Sequence, residues 1–121
     1  MARMYQLLLS IGETITVEFK SDLDCLPDSE LAAAVVGLAN TEGGELFIGV
    51  ENDGSITGLH LKHSSTSGLG VMIANRTNPA IAVRIENYTF NKCTIARISV
   101  PKSRQLVSTS DGMLLRRRLM V

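Results

Sequence analysis

Aromatic side chains are scarce: the 121 residues include two tyrosines, three phenylalanines and no tryptophan. Extensive stacking of bases on exposed rings is therefore not how this chain would hold a nucleic acid. Only two cysteines occur, Cys25 and Cys93, far apart and without a Cys-x-x-Cys spacing. They read as reduced thiols rather than a disulfide or a metal pair. The two histidines, His60 and His63, have the spacing of neither a zinc finger nor a zincin. No serine or cysteine nucleophile motif accompanies them, so a hydrolase triad is not indicated. The absence of a G-x-x-x-x-G-K-[ST] loop disfavours a P-loop ATPase. No apolar run approaches the ~20 residues of a membrane helix. The Leu7–Leu9 run has no small-residue cleavage site after it, so no signal peptide is read. A cytoplasmic protein with no membrane partner is expected.

The composition that is present, 45% hydrophobic and 20% charged, is that of an ordinary folded domain. It excludes a disordered tail, a collagen-like fibre and a disulfide scaffold. One core usually occupies about 100–150 residues, so residues 1–121 are expected to form a single domain. The ending Arg116-Arg117-Arg118-Leu119-Met120-Val121 resembles a strand more than a solvated tail, which points to the N-terminal piece of a longer protein. The formal net charge is zero, but it is unevenly spread. Residues 1–58 carry two basic and ten acidic side chains, a balance of −8, whereas residues 84–121 carry eight basic and two acidic ones, a balance of +6. Such asymmetry implies a polyanion partner or a metal site, with an inert dipolar surface as the bland alternative.

Periodicity sets the elements. Thr14 to Lys20 alternates as a half-buried strand, placing Glu18 and Lys20 on one polar face. Pro27 with the carboxylates Asp28 and Glu30 signals a helix start. Leu31, Ala32, Val35, Val36 and Ala39 then form a helical apolar stripe, giving a well-defined helix over about 27–40. The Asn40-Thr41-Glu42-Gly43-Gly44 turn ends it. Glu45 to Glu51 reads as a buried strand, and Asn52-Asp53-Gly54 as the turn of a hairpin. A weaker second helix is expected over about 65–76, opposed by Gly68 and Gly70. Strands follow around Ile81–Glu86 and Thr94–Val100, with a last short pair flanking Asp111-Gly112. The fold class is α+β, with a mixed, largely antiparallel sheet.

Three groups of residues could carry function. Glu13 and Glu18 stand at an odd offset that puts them on opposite faces of a regular strand, so they converge only if the chain bends near Gly12. Joined by Glu51 or Asp53, they could hold Mg²⁺ or Mn²⁺ and orient water for phosphodiester cleavage; solvated strand ends are the plainer reading. The loop Asn40, Thr41, Gly43 and Gly44 could cradle a phosphate or simply cap the helix. Arg116, Arg117 and Arg118, with Lys102 and Arg104, form the dense basic cluster. They are either phosphate contacts or a charged edge strand.

The segments Glu13-Thr14-Ile15-Thr16-Val17-Glu18-Phe19-Lys20 and Leu38-Ala39-Asn40-Thr41-Glu42-Gly43-Gly44-Glu45-Leu46-Phe47-Ile48-Gly49-Val50-Glu51-Asn52-Asp53-Gly54 together resemble the Schlafen Alba-like DNA-binding domain family, also called divergent AAA. That family is found at the N-terminus of prokaryotic helicase-like transcriptional regulators. The pairing of E-x-x-x-x-E-F-K with A-N-T-x-G-G-x-L-x-I-G-V is far more specific than either half. The resemblance implies an α+β nucleic-acid-binding module, DNA more than RNA, that needs no cofactor for binding. Lys20, Lys102, Arg104, Arg116, Arg117 and Arg118 are the expected contacts. In Schlafen relatives that cut RNA, a carboxylate trio binds a divalent metal. Here that implies Glu13, Glu18 and Glu51, or Asp53 by a register shift, with Lys20 as a phosphate contact. Binding is the leading expectation and a metal-dependent endoribonuclease the alternative. A dimerising interaction module or an ATP-binding one stands behind both. The chain departs from the family pattern in its glycine-containing second helix and in lacking a Gly-Ser turn after the last strand.

Overall fold

The computed structural model describes residues 12–117. Four strands form the main sheet in the order β1-β2-β5-β4: β1 (Val17–Lys20), β2 (Gly44–Ile48), β4 (Arg84–Phe90) and β5 (Cys93–Val100). β1 and β2 run parallel, with Phe19 opposite Phe47, while β2–β5 and β5–β4 are antiparallel. Helix α1 (Asp28–Ala39) makes the crossover a parallel pair requires. Helix α2 (Leu69–Asn75) follows a single 3₁₀ turn at Leu61–His63. A second, two-stranded sheet pairs β3 (Thr77–Asn78) with β6 (Ser108–Thr109). The architecture is α+β, with a mixed and mostly antiparallel sheet.

Several boundaries differ from the sequence reading. β1 is confined to Val17–Lys20 because Thr14 folds back onto Val17, bonding N–H to C=O in both directions at 2.9 and 3.3 Å. The second helix spans Leu69–Asn75 rather than 65–76, since the serine-rich stretch before Gly68 prefers turns. β4 begins at Arg84, beyond Ile81, whose backbone N–H donates to Thr77 Oγ1 (2.9 Å) instead of joining a ladder. The Asn52-Asp53-Gly54 turn does close a hairpin, through Glu51 N–H to Ser55 C=O (2.8 Å).

Alternation divides the core between the two faces of the sheet. Leu46, Ile48, Ala96 and Ile98 pack with the α1 side chains Leu31, Val35 and Leu38, and with Ile73 of α2. On the opposite face Val17, Phe19, Phe47, Val50 and Ile95 form a smaller cluster. Phe19 and Phe47 meet edge to face there, with centroids 6.1 Å apart. This assignment puts Glu18 and Lys20 on the α1 side of an edge strand.

Candidate nucleic-acid interface

The turn after α1 is a junction of distant segments. Asn40 Nδ2 donates to the carbonyls of Val107 (2.7 Å) and Leu115 (2.8 Å), and its Oδ1 accepts the Val107 N–H (2.8 Å). Thr41 Oγ1 donates to Gly37 C=O (2.8 Å) and accepts the Arg117 N–H (2.9 Å). Ser103 N–H donates to Ala39 C=O (2.8 Å). Gly43 and Gly44 have no room for a side chain. A Cβ on Gly43 would lie 2.6 Å from Lys102 N, and one on Gly44 would collide with the Thr16 backbone. The motif loop Asn40, Thr41, Gly43 and Gly44 is thus occupied by protein backbone, in the structural role that the helix-cap reading anticipated.

Because segments 102–107 and 115–117 are both tied to this turn, they carry basic residues to the C-terminal end of α1. Lys102, Arg104 and Arg116 are exposed there. Arg104 and Arg116 have no ion pair among the described residues, and Lys102 has only an exposed contact to Glu42 at 3.5 Å. The partial negative charge at a helix C-terminus favours cations nearby. Arg118 lies outside the described residues.

Arg117 turns the other way. Its guanidinium donates to the carbonyls of Ile15 (3.0 Å) and Thr14 (2.6 Å) and to the Glu18 carboxylate. Its side chain is 17% exposed. Burial is the largest influence on it and lowers its pKa, while the Glu13 carboxylate acts in the opposite sense. The chain turns back at Thr14–Val17, after a Gly12 of positive φ, and the Arg117 guanidinium closes that turn. Glu13 Oε1 accepts the free edge N–H of Phe19 (2.9 Å), and Lys20 Nζ lies 3.6 Å from Glu18 Oε2.

The carboxylates that the resemblance would assign to a divalent ion are held separately. Glu51 accepts a hydrogen bond from Thr57 Oγ1 at 2.6 Å. Asp53 is fully exposed, its pKa lowered by hydrogen bonding to Ser55. Glu13, Glu18 and Glu51 do not gather into a group with ligand atoms within 4.8 Å of one another. With Glu18 matched to Arg117 and Lys20, this arrangement does not fit a shared Mg²⁺ or Mn²⁺. Among the described residues the trio that meets that criterion is Asp22, Cys25 and His63.

The family model described as Schlafen, AlbA_2 matches residues 13–119. The chain belongs to the Schlafen, AlbA_2 family. Among solved structures, this AlbA_2 chain is similar to the DIP2311 protein of Corynebacterium diphtheriae, with a TM-score of 0.75 and 22% identity. That match covers 97% of the chain and 28% of the Corynebacterium protein, so the AlbA_2 chain spans under a third of that relative. It is also similar to the N-terminal domain of a RecG-related protein of Nitrosomonas europaea, with a TM-score of 0.65 and 20% identity over 98% of this chain and 88% of that one. At these identities the likeness is one of fold. No curated protein matches the sequence. Among the described residues no helix is long and apolar enough to cross a membrane.

Sequence reasoning missed two features of the AlbA_2 site. One is the inward turn of Arg117, which a run of three arginines conceals. The other is the Asp22–His63 pair, which leaves no local trace because its members are 41 positions apart.

Proposed function

We propose that the chain is a nucleic-acid-binding module of a transcriptional regulator, and that it engages duplex DNA in preference to RNA. The observation that carries this reading is the rim of exposed cations, Lys102, Arg104 and Arg116, collected at the turn after α1. Family membership, and the RecG-related protein whose N-terminal domain shares the fold, support the same direction. Exposed lysine and arginine side chains with few protein partners suit phosphates, which position without reading sequence, so binding of low sequence specificity is expected. The arrangement of Glu13, Glu18 and Glu51 argues against the nuclease alternative. A labelled DNA duplex should therefore bind, and a labelled structured RNA should stay intact, in the presence of Mn²⁺.

Fluorescence anisotropy against salt concentration tests the rim. Each phosphate contact contributes about 0.9 to the slope of log affinity against log salt. The triple variant Lys102→Gln, Arg104→Gln, Arg116→Gln should flatten the slope by roughly 2 to 3 and weaken all sequences alike. An unchanged slope would remove this surface from consideration.

A further inference from the structure

Asp22 follows β1 and is completely buried, yet no lysine or arginine pairs with it among the described residues. Its Oδ1 accepts the Leu26 N–H at 2.7 Å and its Oδ2 the His60 N–H at 2.8 Å. The His63 imidazole faces both oxygens, with Nδ1 2.8 Å from Oδ2 and 3.0 Å from Oδ1. Buried carboxylates are normally neutralised by a cation or bound to a metal. Here the nearest soft ligand is also at hand: the Cys25 thiol, the carboxylate and the imidazole each present a ligand atom within 4.8 Å of the others. The geometry points to a transition-metal site, of the zinc class, formed by Asp22, Cys25 and His63.

Two ligands come from one tight turn, closed by Cys25 N–H on Asp22 C=O (3.1 Å), with Cys25 itself left-handed at φ 60°. The two-residue spacing between them matches that of paired ligands in zinc knuckles. The third ligand comes from the 3₁₀ turn Leu61–His63, so an ion would tie the start of the α1 crossover to the segment after the hairpin. Ligand atoms about 2.0–2.2 Å from a tetrahedral ion lie roughly 3.3–3.6 Å apart, so the imidazole and carboxylate, now in hydrogen-bond contact at 2.8 and 3.0 Å, would part slightly to admit it. The Cys25 thiol already lies within 4.8 Å of both. The Leu26 and His60 amides already hold the carboxylate in place, as outer-sphere donors do in metal sites. On binding, Cys25 loses its proton to solvent, and His63 ligates through Nδ1 with its ring proton on Nε2. Cys25 and His63 are partly exposed, and Asp24 and Glu30 line the adjoining cavity. That gives the Cys25 side of the site an acidic approach from solvent. Thiolate with imidazole selects zinc or cobalt over magnesium.

Co²⁺ is the probe. The purified chain should take up one ion and develop a thiolate-to-cobalt charge-transfer band in the near ultraviolet, with visible bands of tetrahedral intensity, all removed by Zn²⁺. Cys25→Ser should abolish the charge-transfer band while circular dichroism stays unchanged, because the thiol has no hydrogen-bond partner among the described residues. Cys93→Ser should keep the band, and His63→Gln should weaken cobalt binding at least tenfold. Absence of the band in the unaltered chain, or its survival in Cys25→Ser, would overturn the assignment.

Discussion

Arg117 shows how far one side chain's role can differ from that of its neighbours in sequence. Arg116 is exposed, whereas Arg117 satisfies the carbonyls of the Thr14–Val17 bend and the Glu18 carboxylate together. A guanidinium can do this because its donors form a rigid planar fork; an ammonium cannot reach several acceptors in that geometry. Arg117→Lys should therefore lower stability by about 2 kcal/mol in urea unfolding. It should leave the salt dependence of DNA binding unchanged. A flattened salt slope with intact stability would make Arg117 a phosphate contact instead. Local pattern could not have foretold this, because the partners of Arg117 lie at the other end of the chain. Asn40 is a similar case. Its place as a helix C-cap was legible in the turn residues, but its bonds to Val107 and Leu115 were not.

At the scale of elements, alternation and turn chemistry were informative wherever a segment was long. The Val17/Phe19 phase and the α1 stripe follow from periodicity. Glu45 to Glu51 instead reads as a continuous apolar run that gives Leu46 and Ile48 no phase. β4 of the β4–β5 hairpin extends to Phe90, past the Glu86 that alternation reached. β3 and β6 have two residues each, too few for any period to register. The hairpin turn offers a direct check. Asn91 and Lys92 both have positive φ, at 44° and 69°, which is the geometry that favours Asn-Gly. A lysine in the left-handed region costs about 1–2 kcal/mol, part of which glycine would give back through its greater freedom in the unfolded chain. Lys92→Gly should thus raise stability by about 0.5–1 kcal/mol, read from the urea midpoint at constant slope. A loss of stability would mean that the Lys92 side chain contributes more than its backbone conformation costs.

The whole molecule reinterprets the charge split along the chain. An acidic front and a basic back suggested a polyanion surface, but part of that asymmetry is spent internally. Glu18 meets Arg117, Glu42 meets Lys102, and Glu45 meets Arg97 at 2.6 Å, each pair joining the acidic front to the basic back. β5 beside β2, and the C-terminal segment folded over the α1 turn, make these meetings geometrically necessary. The Glu45–Arg97 and Glu18–Arg117 pairs are largely buried and hence weakly screened, whereas the Glu42–Lys102 pair is exposed and worth little. Stability and nucleic-acid affinity should accordingly respond differently to salt. Between low and tenfold higher sodium chloride, urea unfolding should shift by less than about 1 kcal/mol. Over the same range, three phosphate contacts predict a loss of DNA affinity of roughly 500-fold. If affinity instead held steady while stability fell, the cations would be serving the fold rather than a ligand, and the rim at the α1 turn would have no phosphate to bind.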